Sequence, residues 1–256
     1  MEIMTYFPAF LLVFARVASF FATVPLFSYR TIPNTHKIGL SFFLSWTMFL
    51  AMKKEAIPLD DTYVLLVGKE VLVGLCLGFF AYLMMAAIQI VGGLIDFQMG
   101  FAIANVIDPQ TGAQSPLLGQ YLYIFALLLL LALNGHHLLL DGVFYSYHFI
   151  PLHTVVPFGH EQFARFALKT FSEMFVVAFQ MSAPIVGSLF LVDVALGVVA
   201  RTVPQLNIFV VGMPVKVIVG FLLLMVMMTT LFIAAQHLFE TMVISLRDLM
   251  GIIGGK

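Results

Sequence analysis

Residues 92–116 open with Gly92-Gly93-Leu94-Ile95-Asp96-Phe97-Gln98-Met99-Gly100 and continue through Asp108-Pro109-Gln110-Thr111-Gly112 to Gln114-Ser115-Pro116. Two strongly apolar segments, Val71–Val91 and Tyr121–Leu133, flank this polar break. Non-helical backbone at membrane depth must be buried in protein or line a wet cavity, because lipid offers it no hydrogen-bond partners. The break is therefore the predicted functional region; the alternative interpretation is an exposed connecting loop.

The composition of the chain is that of an integral membrane protein. Of its 256 residues, 62% are hydrophobic and 10% are charged, and the mean hydropathy is +1.06. Soluble domains are about 45–50% apolar and about 25% charged. A formal net charge of -1 argues against nucleic-acid binding. Cys76 is the single cysteine, so it forms no internal disulfide and is interpreted as a small buried hydrophobe.

About six apolar segments predict an all-α, multi-helix membrane fold, with several segments short or broken by Pro and Gly. They are Tyr6–Phe27, Ile38–Met52, Tyr63–Ile95, Tyr121–Leu140, Phe171–Val199 and Ile208–Ala235. Residues from Phe144 to Glu161 are expected to form an interfacial loop with short helical pieces. The tail from Gln236 to Met250 carries apolar residues at helical spacing, which predicts an amphipathic helix on the membrane surface or on a partner.

Five charged residues lie within or beside the apolar segments: Arg16, Glu70, Asp96, Asp193 and Lys216. A charge at the centre of a membrane helix costs about 2.5–3.5 kcal/mol on insertion scales, so such residues usually face protein or water. Basic residues also follow both the first and the second apolar segment, which no simple topology explains. We therefore hypothesise that other proteins cover much of this chain.

Other functions are conceivable for these residues. A secondary transporter suits the charged positions, but the two halves of the chain do not echo each other. An intramembrane aspartyl protease would pair Asp96 with Asp193, although buried polar pairs are more often structural. The histidines match no metal motif and no phosphate-binding glycine loop is present, so neither an enzyme nor a metal or other cofactor is expected.

Four patches of sequence carry a resemblance that covers nearly the whole chain. The first patch is Arg16 with Pro25-Leu26-Phe27, Pro33 and Lys37-Ile38, and the second is Glu70 with Gly74 and Gly78-Phe79. The third runs from Gly93 to Gly100 with Asp108-Pro109, and the fourth runs from Arg201 to Phe209 with Pro214 and Lys216. In this order, the chain resembles the FliR family of the type III secretion export apparatus, in its flagellar rather than its virulence branch.

The resemblance implies a core subunit of a helical export gate in the bacterial inner membrane, within the flagellar basal body. Members of this family assemble with FliP and FliQ into a closed channel for unfolded flagellar proteins, and FlhB binds from the cytoplasmic side. By resemblance, residues 1–140 form a FliP-like part that includes loop 96–116, residues 141–170 an interfacial region, 171–235 a FliQ-like helical hairpin and 236–256 the tail.

In the family, a loop of this subunit helps to plug the channel, and residues 96–116 match it as a re-entrant, plug-like loop. Flexible apolar side chains at Phe97, Met99, Phe101 and Ile103 would seal it; Asp96 and Asp108 alternatively cap helix ends. The plug candidates are Asp96, Phe97, Gln98, Met99, Gly100, Phe101, Ile103, Asn105, Asp108, Pro109 and Gly112. The structural or assembly candidates are Arg16, Pro25, Pro33, Lys37, Glu70, Gly74, Gly78, Gly93, Asp193, Arg201, Pro204, Gln205, Asn207, Pro214 and Lys216.

Overall fold

The computed structural model describes residues 2–29, 31–52, 57–101, 116–154, 161–205 and 207–255. These residues form helices and no strand. The helices are α1 (Glu2–Thr23), α2 (Asn34–Ala51), α3 (Thr62–Met99), α4 (Leu117–Ala132), α5 (Gly135–Phe149), α6 (Glu161–Thr202) and α7 (Ile208–Gly254). The all-α prediction is confirmed.

Four helices are long and apolar enough to cross a membrane: α1, α3, α6 and α7. Helices α4 and α5, separated by Leu133 and Asn134, together pass the same test and provide a fifth candidate span. The multi-helix membrane architecture is thereby confirmed as well.

The chain divides into two compact units. The first contains Met1–Met84, Leu133–Phe171 and Glu240–Lys256, and the second contains Met85–Ala132 and Ser172–Phe239. Helices α3, α6 and α7 therefore contribute residues to both units.

In the first unit, α1 packs on both α2 and α3. The Phe10 ring of α1 meets Phe42, Trp46 and Phe49 of α2 edge-on, at centroid distances of 5.4, 5.5 and 5.9 Å, a favourable geometry for aromatic rings. On the other side, Gly74 of α3 lies against the Arg16 carbonyl of α1. Gly78 lies one turn further along α3, against the Phe20 carbonyl, and small residues spaced by four on one helix face allow such a close approach.

Helix α3 continues beyond the point where the polar break was expected to begin. It passes through Gly92, Gly93, Ile95 and Asp96 and ends at Met99. The paired glycines do not interrupt the helix, because they allow another element to approach: a Cβ at Gly92 would overlap the backbone of Gly119 in α4. Small residues serve this purpose in membrane helices.

The tail is the continuation of α7 and not a separate helix, since no Gly or Pro interrupts residues 221–250. Its apolar stripe is buried within this chain: Met242, Leu246, Leu249 and Ile253 are all less than a tenth exposed. At the end of the stripe, Gly254 approaches the Phe149 carbonyl of α5. The apolar stripe of the predicted amphipathic helix is therefore covered by this chain itself.

Two further predicted boundaries differ from the structure. The segment predicted as Tyr121–Leu140 is two helices, interrupted where Asn134 takes a φ of 57°, a left-handed conformation that Asn tolerates better than most residues. The loop predicted from Phe144 begins later, because α5 continues to Phe149.

Candidate functional site at the end of α3

Helix α3 ends in a hydrogen-bonded cap built around Gly100. Gly100 has a φ of +89°, which only glycine adopts without strain. The Gly100 N–H donates to the Phe97 carbonyl at 3.2 Å, and the Phe101 N–H donates to the Asp96 carbonyl at 3.0 Å. This pair of bonds is the Schellman motif, so Gly100 sets the direction in which the chain leaves α3.

The Asp96 side chain caps the beginning of α4. Asp96 is 2% exposed, and its Oδ2 accepts the Leu118 N–H at 2.9 Å. The first N–H groups of a helix have no partner inside the helix. A carboxylate accepts hydrogen bonds from them and is stabilised by the positive end of the helix dipole. The capping interpretation therefore describes Asp96 in this structure.

Three side chains from three helices meet at Asp193. The Gln98 Nε2 of α3 donates to Asp193 Oδ2 of α6 at 2.8 Å, and Lys216 of α7 forms an ion pair with Asp193 Oδ1. The Lys216 Nζ also lies 3.4 Å from the Gln98 carbonyl, one of the last-turn carbonyls that a helix leaves without an internal partner. The last turn of α3 is thus bound to both α6 and α7.

The three described sealing candidates have different surroundings. Met99 is fully buried against Gly220 of α7, and the Phe101 ring lies 6.4 Å from that of Phe221. Phe97 is 71% exposed, so its side chain can contact another molecule or line a channel. The other plug candidates, Ile103, Asn105, Asp108, Pro109 and Gly112, lie outside the described residues.

A second cluster of charges is buried in the first unit. Arg16 and Glu70, both 0% exposed, form two hydrogen bonds, from Nε to Oε2 at 2.5 Å and from Nη2 to Oε1 at 3.0 Å. Arg16 also donates to the Ser146 Oγ and the Ile150 carbonyl, each at 2.9 Å. Such fork-shaped pairing is the strong form of a charge-assisted bond. It joins α1 to α3, and the bond to Ser146 joins α1 to α5.

Lys69 adds a second cation to this cluster. Its Nζ lies 2.6 Å from Glu70 Oε1 and donates to the Pro151 and Leu152 carbonyls at 2.9 and 3.1 Å. The carbonyls of residues 150–152, at the negative end of the α5 dipole, are therefore all bound by buried cations. Glu70 is the one described acidic partner that Arg16 and Lys69 share.

Comparison with known proteins identifies the family. The model of the bacterial export proteins, family 1, matches residues 7–242. The flagellar biosynthetic protein FliR of Bacillus subtilis is 55% identical over 99% of this chain and 98% of its own length. That of Escherichia coli is 29% identical over 92% of this chain and 90% of its own length, and the Yop proteins translocation protein T of Yersinia pestis is 32% identical over 64% and 63%.

The chain belongs to family 1 of the bacterial export proteins. The resemblance drawn from the four sequence patches is confirmed.

Within this export protein, the two carboxylates of the aspartyl-protease hypothesis have separate roles. Asp96 caps α4, whereas Asp193 binds Lys216 and Gln98. An acid pair requires two carboxylates that share one proton, and no described contact joins these two. The described residues likewise contain no group of three or more His, Cys, Asp or Glu side chains placed to hold a metal ion.

The remaining assembly candidates of the export protein lie in turns or at close helix contacts. Pro25 is buried after α1, and Pro33 directly precedes α2, where its carbonyl accepts the N–H of Lys37 at 3.3 Å. A Cβ at Gly93 would lie 3.3 Å from the Pro116 ring. Pro204, Gln205 and Asn207 are exposed in the connection between α6 and α7, whereas Arg201 is exposed in the last turn of α6 and Pro214 lies exposed inside α7.

Sequence reasoning missed Ser146 and Tyr147 as members of the buried cluster. The Arg16 guanidinium carbon lies 4.0 Å from the Tyr147 ring centre, a cation–π geometry. A serine or tyrosine in a membrane helix gives no distinctive signal by itself. The available signal was the adjacency of Lys69 and Glu70 in an apolar segment, which is consistent with either a paired position or a membrane interface and identifies no partner.

Proposed function

We propose that this chain is a subunit of a type III protein export gate and assembles with FliP and FliQ homologues around a closed channel. Unfolded flagellar proteins would cross the bacterial inner membrane through that channel, within the flagellar basal body, with FlhB at the cytoplasmic side. The description of the family as bacterial export proteins and the name of the Yersinia pestis relative, a protein translocation protein, support export as the process, and the name of the Bacillus subtilis relative supports flagellar biosynthesis. The chain acts as a structural part of the gate and not as an enzyme.

The observation that carries the proposal is how little of α6 and α7 this chain covers. Only 11% and 17% of their most apolar windows are buried, against 56% in α1 and 61% in α3. Gln180 is exposed near the middle of α6, where lipid would leave its amide without partners. Helices of this kind are suited to burial against other subunits, as expected for the predicted hairpin of residues 171–235.

The gate itself is assigned to the segment that begins at Asp96 and extends to Pro116. The first residues of this segment, 96–101, contain the helix end that Gly100 fixes and the exposed aromatic side chain of Phe97. Apolar side chains close pores by excluding water and yield when a polypeptide passes. The proposed mechanism is passive, so other components supply the energy.

Export is tested in a strain whose own copy of this gene is deleted. Without the chain, flagellar proteins should be absent from the medium, and expression of the full chain should restore them. Secretion of a protein that uses the general pathway serves as the control. Undiminished flagellar export in the deletion strain would contradict the proposed function.

The gate assignment is tested by deleting residues 105–112 in the full chain. The shortened protein should assemble at the wild-type level but let small ions leak, because the seal is incomplete. Cell growth in high external salt and ion flux across vesicles with the assembled complex both report the leak. Wild-type impermeability with normal assembly would contradict the assignment of the plug.

A further inference from the structure

The two oxygens of the Asp193 carboxylate bind different helices. Oδ1 pairs with Lys216 of α7, whereas Oδ2 accepts from the Gln98 amide of α3. Lys216 then approaches the Gln98 backbone carbonyl. These three contacts connect α3, α6 and α7 through four groups of the second unit.

The contacts fall on the last turn of α3. Gln98 lies two residues before Gly100, whose positive φ turns the chain away from the helix axis. Beside it, Met99 packs against Gly220 of α7. Gly220 has no side chain that could fix the orientation of Met99. The polar contacts of Gln98 therefore fix the orientation of the last turn of α3.

Asp193 and Lys216 each depend on the other, because a single charge would be energetically unfavourable at this position. Both lie in apolar helices, and the Asp193 and Lys216 side chains are only 35% and 22% exposed. A lone charge in such surroundings is strongly unfavourable, whereas a pair with an additional amide donor satisfies most of its polar atoms. The two charges therefore stabilise each other, and their contact fixes α6 against α7 at this point.

We propose that Asp193 and Lys216 are positioning residues that hold the last turn of α3, through Gln98, on the α6–α7 hairpin. Their effect on the closed channel rests on the proposed function, since Asp96–Phe101 begins the segment assigned to the gate. The position of the last turn itself does not depend on that assignment.

A disulfide between α3 and α7 reports this position directly. An ideal Cβ at Gly220 would lie 2.9 Å from the Met99 Cγ, the position that the sulfur takes after the substitution Met99→Cys. This separation is close to the roughly 3 Å between a Cβ and the distant sulfur of a disulfide. The full chain carrying Met99→Cys, Gly220→Cys and Cys76→Ser, in membranes with its partner subunits, is oxidised and the cross-linking rate is measured.

Asp193→Asn and Lys216→Met should each slow cross-linking about tenfold, because a charge-assisted contact to the last turn is lost. The exchange Asp193→Lys with Lys216→Asp should be faster than either single variant, because the ion pair is restored and the side-chain oxygen of Gln98 accepts from the new lysine, while the contact with the Gln98 backbone carbonyl is lost. Glu161→Gln is the control: it removes the exposed Glu161–Arg165 pair of α6 and should leave the rate unchanged.

Wild-type rates in both single variants, or an exchange no faster than the single variants, would overturn the positioning role. Ion leakage through the assembled complex, measured on the same variants, tests the link to the gate separately from the positioning role. Slow cross-linking without leakage supports the positioning role and contradicts its link to the gate. Unchanged cross-linking, with leakage after deletion of residues 105–112, contradicts the positioning role and leaves the proposed function standing.

Discussion

At the scale of single residues, Glu70 balances two buried cations. Arg16 and Lys69 both bind its carboxylate; Arg16 also binds the Ile150 carbonyl, and Lys69 binds the carbonyls of residues 151 and 152. With all three groups ionised, the cluster carries a net positive charge. Removal of the one anion leaves two like charges buried together, whereas removal of either cation leaves a neutral pair.

Glu70→Gln should therefore be the most destabilising single change in this cluster, by about 3–5 kcal/mol. Lys69→Met preserves the Arg16–Glu70 pair and should cost less, about 1–3 kcal/mol, for the Pro151 and Leu152 carbonyls that lose their donor. The midpoint of thermal unfolding measures both variants, each purified in its complex with the FliP and FliQ homologues. Equal midpoints for the two variants would contradict the charge argument.

Gly74 and Gly78 provide a second prediction at this scale. Alanine at Gly74 would overlap the Arg16 carbonyl and the Ser19 hydroxyl of α1, so we expect a loss of about 1–3 kcal/mol. Gly68→Ala, in the same helix with nothing within 4 Å of the added Cβ, is the matched control. It should be neutral or stabilising, because alanine favours helix by about 1 kcal/mol over glycine. Equal losses at the two positions in thermal unfolding would exclude close packing as the cause.

At the scale of elements, apolar periodicity predicted the helices but not all of their ends. The spacing of Gly74 and Gly78 by four places both on one helix face and indicates a close approach of another backbone, but it does not identify α1 as that backbone. The end of α3 did not follow, because Gly92-Gly93 has the same appearance in a turn and in a tight helix contact. Only the position of Gly119, on the far side of the polar break, decides between the two.

The candidate site shows the same limit. Arg16, Glu70, Asp193 and Lys216 were recognised as charges that needed partners. Their pairing was not, because 54 residues separate Arg16 from Glu70 and nothing local records that contact. Asp96 was recognised as a possible helix cap, but its partner helix begins only at Leu117, beyond the residues that sequence spacing can connect.

The continuity of α7 gives the prediction at this scale. Leu249 is fully buried, whereas Ile244, on the same helix, is 61% exposed. Leu249→Ala should destabilise the first unit by about 2–5 kcal/mol through the cavity it leaves, and Ile244→Ala should change stability little. The level of folded protein in membranes compares the two. A small effect at Leu249 would mean that the end of α7 is not part of the core.

At the scale of the whole molecule, the chain leaves much of its apolar surface uncovered. Phe179, Phe190, Phe209 and Met225 are 65%, 59%, 80% and 80% exposed, and all four lie on the α6–α7 hairpin. Lipid covers apolar side chains but not the exposed amide of Gln180. The proposed partner subunits would cover both, so we expect α6 and α7 to be buried in an assembly.

The most direct test of that expectation is the native mass of the detergent-extracted particle, with the chain expressed alone and then together with its FliP and FliQ homologues. We expect the chain alone to be recovered poorly or as aggregates, and co-expression to place it in one large particle that contains all three proteins. A stable, monodisperse monomer under both conditions would contradict this expectation, because the α6–α7 hairpin would then need no protein partner.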